Sequence, residues 1–391
     1  MSSTISLSNI SEFITKGATP TTYGYKWELS GVPFLRSECV SEDGLNMAES
    51  MFISIQADRA LRRSRVVEGD LLITITGNVG RVIRFTGFDQ ANINQHIARA
   101  RINSSSFDSR FVYHYLSQTN VREKFESITT GQAYPQLSLA QVRNVQIPVM
   151  PLSVQEEIAD ALDTADELIS NLENVAAKKR DVKQGMMQEL LTGGTRLPGF
   201  AGEWRSRTIG EVANVIMGQS PPGSSYNQAG TGLPLIQGNA DIQDRRTFER
   251  VWTTSPTKVV GEGGVVLTVR APVGFTARAH ANSCLGRGVC ALSSVGSNDF
   301  LFHAMVAAEP KWGLFEQGST FTSVNSDQVR SFVLEWPPDV EEQKQIAAIV
   351  DDVDAEIDAL ERRLESARAV KLGMMQELLT GRTRFPLEEE A

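Results

Sequence analysis

Pro337 to Lys344 reads PPDVEEQK, and carboxylates closely followed by a lysine are the residue types of a metal-dependent nuclease centre. The matching stretch 188 residues earlier has Pro151 for Asp339 and Glu156 for Lys344, so cleavage chemistry is not expected there. His280, Cys284 and Cys290 are zinc-ligand types, but no fourth ligand and no CxxC knuckle accompanies them, and buried or free thiols are the better reading. The four histidines, His96, His114, His280 and His303, are read as occupying no repeated position and forming no triad. There is no GxxxxGK[ST] phosphate loop, TGNVG is not a GxGxxG dinucleotide loop, and no Asn- or Asp-Pro-Pro-aromatic motif of amino-methyltransferases occurs. A non-catalytic chain is the expectation.

What remains is binding chemistry. Residues 1–150 hold 12 arginines against 3 lysines, and residues 199–338 hold 9 against 2. A guanidinium fork suits bidentate contact with guanine or phosphate. The net charge of −9 argues against a nucleic-acid binder, but the acid is unevenly placed. Segments 1–150 and 199–338 carry 15 basic with 13 acidic and 11 with 11 side chains. Segments 151–198 and 339–391 carry 5 with 9 and 7 with 14. If these near-neutral segments bind a nucleic acid, charge alone would make the grip weak.

The chain that positions these residues has 391 positions, too many for one ordinary core. No apolar run approaches the ~18 residues of a membrane span. The opening MSSTISLSNI has neither a basic nor an apolar export region, and three widely placed cysteines suit a reducing compartment, so a cytoplasmic location is expected.

Two stretches are nearly the same. GMMQELLTGGTRLP (185–198) and GMMQELLTGRTRFP (373–386) agree at 12 of 14 positions, 188 residues apart. The same offset aligns Gln155 with Gln343, Ile158 with Ile346, Ala159 with Ala347, Asp163 with Asp351 and Asp166 with Asp354. Proline-marked entries and Gly193 and Gly381 as caps bound two helices of roughly 38 residues, each about 57 Å long at 1.5 Å per residue. Ile158, Ala165, Leu172 and Met186 recur in sevens, with Ala161, Leu168, Val175 and Val182 read as the intervening seam positions. Ile346, Val353, Leu360, Ala367 and Met374 repeat the pattern, and Lys179, Glu356 and Arg363 interrupt it. Such seams predict that the helices pack as a coiled coil.

The segments before each helix are diverged repeats. TKGATP (15–20) parallels MGQSPP (217–222), and VPFL (32–35) parallels LPLI (233–236). GDLLITITGNVG (69–80) parallels GGVVLTVRAPVG (263–274), and TTGQAYPQLSLAQVR (129–143) parallels EQGSTFTSVNSDQVR (316–330). Turn-bounded runs of Val, Ile, Leu and Thr with short helical stretches predict two α+β domains.

This pattern of IPVMPLSVQEEIA and PPDVEEQKQIA entries, twin GMMQELLTG ends and paired variable segments resembles the specificity subunit of type I restriction–modification systems. The resemblance covers essentially the whole chain; LPGFAGEW (197–204) has no counterpart ahead of the first domain. It implies two pseudo-symmetric target-recognition domains separated by an antiparallel two-helix coiled-coil spacer. The implied divisions are 1–150 and 199–338 for the domains, and 151–198 and 339–391 for the helices and their exits. It further implies a bipartite DNA site and docking of two methyltransferase subunits, with restriction subunits in the full complex. S-adenosylmethionine would belong to the methyltransferase subunit, and ATP and magnesium to the restriction subunit. Two partners of one kind would explain why the helix ends are alike, and Gly185, Met186, Met187, Gly373, Met374 and Met375 are the expected docking residues. Side chains able to pair with base edges stand on glycine-marked or cation-rich loops. In the first domain these are Arg62, Arg63, Arg65, Asn78, Arg81, Gln132, Tyr134 and Gln136. In the second they are Gln219, Ser220, Tyr226, Arg245, Arg246, Arg270, Thr320 and Phe321. The rival reading is a coiled-coil scaffold joining two protein- or sugar-binding domains, and it predicts no DNA-dependent complex with a methyltransferase.

Overall fold

A computed structural model describes residues 3–41, 44–131, 135–313 and 323–380. The chain divides into two compact units, 1–172 with 363–391, and 173–362. Each contains one α+β domain and a stretch of both long helices.

In the first unit, Ser11–Lys16, Ile97–Ile102, Leu71–Thr74 and Val82–Arg84 form an antiparallel sheet in that order. A second sheet runs Met51–Ile53, Val32–Leu35, Gln90–Ile93, Arg65–Val67, with a parallel pairing between Val32–Leu35 and Gln90–Ile93. All four residues of the LLIT strand are buried, so it reads as a continuous apolar run rather than an alternating one.

The second unit repeats this plan. Ala213–Met217, Val289–Ser294, Val265–Thr268 and Thr276–Arg278 form the antiparallel sheet, and Trp252–Thr253, Leu233–Ile236, Ser283–Leu285 and Val259–Val260 the other. Register is kept: Leu71 pairs with Arg84 as Val265 pairs with Arg278. The second domain adds the hairpin Ile242–Gln243/Arg246–Thr247, whose turn holds Asp244 and Arg245 at positive φ. The first instead carries the helix Ile55–Ala60 and the hairpin Val40–Ser41/Gly44–Leu45.

One helix packs on each antiparallel sheet: Ser109–Leu116, capped by Asp108, and Asn298–Trp312, capped by Ser297. The long helices are Leu152–Leu190 and Val340–Leu378, 39 residues each. They are held to the domains by repeated devices. Gln155 is fully buried; its Oε1 accepts from the backbone N–H of Asp108 (3.1 Å) and its Nε2 donates to the carbonyls of Ser106 and Met150. Gln343 does the same with the N–H of Ser297 (3.0 Å) and the carbonyl of Pro337. Each glutamine pairs both its amide oxygen and its amide nitrogen where an unpaired polar group would be costly.

The heptad reading needs a correction. Leu168, Val175 and Val182 are 47%, 45% and 61% exposed, and Ala161 is only half-buried. The inward positions between Ile158, Ala165 and Leu172 are Leu162, Ile169 and Ala176, one residue later. A stripe that steps by three and four can be continued either way in sequence, and small apolar residues on the outer face gave the wrong choice. Two of the interruptions answer one another, Lys179 pairing with Glu356, and beside them Lys183 pairs with Asp354. Within that unit Arg180 meets Glu361 while Lys183 meets Asp354, so the two helix stretches run antiparallel. In the other unit Lys371 pairs with Asp166, which is the Lys183–Asp354 pair moved by 188 residues.

Among the described residues, no helix is long and apolar enough to cross a membrane.

Candidate nucleic-acid interface

In each domain several loops meet where the two sheets end, and the same backbone hydrogen bonds tie them together. Gly17 and Ala18 donate to the carbonyls of Ile97 and Ile93, as Gly218 and Gln219 donate to those of Val289 and Leu285. Asn94 donates to Leu35 as Gly286 does to Ile236; Ile75 to His96 as Val269 to Gly288; and Leu137 to Ile75 as Val324 to Val269. A Cβ on Gly17 or Gly218 would lie 1.9 or 2.0 Å from a carbonyl oxygen of the neighbouring loop, so only glycine lets the strands approach there.

Of the sequence candidates, this cluster gathers Asn78 and Gln136 in the first domain and Gln219, Ser220 and Arg270 in the second. Asn78, Gln136, Gln219 and Arg270 are exposed, and Gln136 bridges both Thr76 and Thr130. Arg81 is half-buried beside it, with Nη1 donating to the Val40 carbonyl at 3.4 Å. Tyr226 is turned back on its own loop, its hydroxyl donating to the Pro221 carbonyl at 3.3 Å. Gln132, Tyr134, Thr320 and Phe321 lie outside the described residues.

Other candidates sit elsewhere. Arg65 is committed to the buried carboxylate of Asp58, while Arg62 and Arg63 are exposed on the turn before it. Arg245 lies over the Phe275 ring at 4.4 Å and pairs with Glu309, so its guanidinium is part of the domain's structure. Arg246 opens onto a cavity shared with Lys183, Asp351 and Asp354, on the helix side of that unit. Clustered cations attracted the sequence reading, but nearby carboxylates, invisible along the chain, had already claimed two of them.

Sequence reasoning missed residues that the cluster does contain. In the second domain a concavity of about 450 Å³ is lined by Ser220, Gln237, Asn239, Arg250, Arg270 and Arg287, among others. Its carboxylate, Asp241, pairs with Arg250 at 2.9 Å and accepts from the Gln237 N–H at 2.7 Å. Arginine and amide side chains around one concavity are the groups that reach guanine and adenine edges. The glycine-flanked arginine in LGRGV was the available signal for Arg287.

Away from these loops, a second repeated site joins each domain to its helix. His114 and His303 are buried, and their Nε2 atoms meet Asp163 Oδ1 at 2.8 Å and Asp351 Oδ1 at 2.9 Å. Arg84 (3.9 Å) and Arg110 flank Asp163, and Arg278 (2.9 Å) flanks Asp351. Burial alone would raise both carboxyls, but the hydrogen bond and charge of the histidine, with the arginines, hold them below the ordinary carboxylate value. The reading that no histidine repeats is therefore overturned: FVYH and FLFH align at an offset of 189, one residue from that of the helices.

The docking candidates also change character. Gly185 and Gly373 stand on open helix faces, where a Cβ would meet nothing within 4 Å among the described residues. Met186 and Met187 pack against the core of the second unit, Met374 packs against that of the first, and Met375 is buried in it. The methionines are thus committed within their own units. Cys290, a strand residue, is pushed up to about 12 by burial, and Cys284 is buried too, as core thiols are. Among the described residues no group of three His, Cys, Asp or Glu side chains is arranged to hold a metal ion.

The family model for the type I restriction modification DNA specificity domain matches residues 3–180 and again 201–367. The chain belongs to this family. It is a specificity subunit of a type I restriction–modification system, a non-catalytic role. Over 97% of its length the subunit is 27% identical to a Methanocaldococcus jannaschii chain named for the type I restriction enzyme MjaX specificity subunit, covering 92% of that relative. The MjaVIII specificity subunit of the same organism is 23% identical over 91% of the chain and 87% of the relative. In fold the subunit is similar to a type I system S subunit from M. genitalium, with TM-score 0.65 at 14% identity over 96% and 95% of the two chains. A chain solved in a study of type I complex assembly and conformational transition gives 0.58 at 23%, over 96% and 97%. Two pseudo-symmetric domains with long helices, as expected from the residues, are the fold of this family.

Proposed function

We propose that residues 1–150 and 199–338 each read one half of a bipartite, asymmetric DNA site through the loop cluster described above. Segments 151–198 and 339–391 serve as spacer and grip, and two methyltransferase subunits dock on the repeated helix ends, with restriction subunits joining through them. S-adenosylmethionine for adenine methylation, and ATP with magnesium for cleavage, belong to those partners. The observation that carries this reading is the loop cluster itself, built twice on matching backbone hydrogen bonds but furnished with different side chains. A shared frame with exchanged polar side chains suits two readers of different sequences.

Partner docking is assigned to the exposed faces around Gly185 and Gly373 rather than to the methionine side chains, because those faces are open and nearly identical in sequence. Co-expression with the methyltransferase subunit, followed by genome-wide mapping of N6-methyladenine, tests the reading. One two-part motif is expected, and a mass of the purified complex corresponding to two methyltransferase subunits per chain. Methylation without a two-part motif, or a stable one-to-one complex at saturating partner, would refute it.

A further inference from the structure

Gln95 in the first domain and Arg287 in the second occupy the same position. Each stands on the loop leaving the strand of the parallel pair, Gln90–Ile93 or Ser283–Leu285, and entering the long antiparallel strand. Both loops are fixed from below by the same bonds, Asn94 to Leu35 and Gly286 to Ile236. In the second domain Gly286 and Gly288 flank the arginine, and a Cβ on Gly288 would lie 2.0 Å from the Gln237 carbonyl oxygen. In the first, the Asn94 Oδ1 accepts from the His96 N–H at 3.0 Å and closes the loop instead. Two different local solutions thus hold one side chain in one place.

That side chain is buttressed alike in both domains. Thr19 donates its hydroxyl to Gln95 Oε1, and Arg287 Nε donates to Ser220 Oγ at 3.0 Å. Thr19 and Ser220 are themselves equivalent, each two residues after the tightly packed Gly17 or Gly218 and just before a buried proline.

The valences left over are informative. Gln95 Nε2, which can only donate, meets His96 Nε2 at 3.1 Å, so among the described residues one N–H and one lone pair of Oε1 are left over on the amide. A donor beside an acceptor on a planar amide complements adenine N7 and N6 in the major groove. Arg287 spends Nε on Ser220 and, among the described residues, keeps both terminal nitrogens unpaired, a two-donor fork complementary to guanine O6 and N7. Arg287 is exposed and lines the concavity that also holds Arg270 and the Arg250–Asp241 pair, so positive charge outnumbers negative on a surface suited to a phosphate-bearing ligand. We infer that Gln95 and Arg287 are equivalent specificity-determining side chains, selecting adenine in one half-site and guanine in the other, with Thr19 and Ser220 as their positioning residues. This rests on the loop cluster being the DNA-reading face.

The test exchanges them. Wild type, Gln95→Arg and Arg287→Gln are each co-expressed with the methyltransferase subunit, and N6-methyladenine is mapped. Arg287→Gln should turn one guanine of one half-site into adenine and leave the other half unchanged; Gln95→Arg should do the converse in the opposite half. Since an exchange can also abolish activity, purified complexes carrying Arg287→Ala or Gln95→Ala are titrated against duplexes varied at every motif position. Discrimination at one position should fall by about tenfold to a hundredfold, the usual value of a bidentate pair, with other preferences retained. Unchanged motifs at normal methylation, or a uniform weakening that preserves every base preference, would overturn the inference while the bipartite motif of the wild type still stands. Absence of a two-part motif in the wild type would instead strike the proposed function.

Discussion

The two domains of this chain are built alike where they touch their helices and differently where their loops meet. At the helix side the repeat is chemical: His114–Asp163 answers His303–Asp351, Gln155 answers Gln343, and Lys371–Asp166 answers Lys183–Asp354. At the loop side the repeat is only geometric, with the same backbone bonds carrying Thr19 and Gln95 in one domain and Ser220 and Arg287 in the other. Side chains that must be paired when buried are hard to exchange singly, because the partner left behind is an unsatisfied polar group. Backbone bonds are indifferent to side-chain type, so a frame held by them leaves its loops free to change.

The sharpest break in the symmetry is expected at an equivalent glycine. Gly80 and Gly274 both have φ near +85°, but a Cβ on Gly274 would sit 2.3 Å from the buried Trp312 ring, against 3.2 Å from Phe125 for Gly80. Gly80→Ala should cost about 1–2 kcal/mol for the left-handed backbone alone. Gly274→Ala should add an overpacking loss of about 1–3 kcal/mol. Calorimetry of the full chain should show the larger fall in melting temperature for Gly274→Ala, and equal falls would contradict the packing difference.

The clamps should behave alike. Asp163→Asn and Asp351→Asn each remove one charge from a histidine and its arginines, with an expected loss of about 1–3 kcal/mol for a charge-assisted bond. The two losses should agree closely, and a neutral result for one of them would show that the repeat at that site is geometric only. Because both carboxyls are held below their ordinary value when folded, their stabilisation is complete above the unfolded carboxylate pKa and is lost as pH falls through the lower folded value. Thermal melts below about pH 4 should therefore show a shallower pH dependence in either variant than in the parent.

The smallest effect belongs to the helix seam. Lys179 and Glu356 are substantially exposed, so Lys179→Ala should change stability by no more than about 1 kcal/mol and by less at high salt. Chemical denaturation at low and high ionic strength measures it. A larger, salt-insensitive loss would mean that the lysine stem, rather than its charge, fills the seam.

Much of this molecule was legible along the chain. Near-identity of the helix ends, the aligned glutamines and aspartates, and the paired apolar runs determined two α+β domains on two long helices, because periodicity and repetition are properties of sequence itself. The candidate site was legible only in part: Asn78, Gln136, Gln219, Ser220 and Arg270 stand on or near glycine-marked turns visible in the sequence. Tertiary structure alone decided which cations were already spent, since Asp58 and Glu309 reach Arg65 and Arg245 from distant segments. It alone set the seam one residue from where Val175 and Val182 suggested, and aligned His114 with His303 across a one-residue change of offset. Partners and burial are decided by what folding brings near, and spacing along the chain carries that information only where the chain repeats itself without a gap.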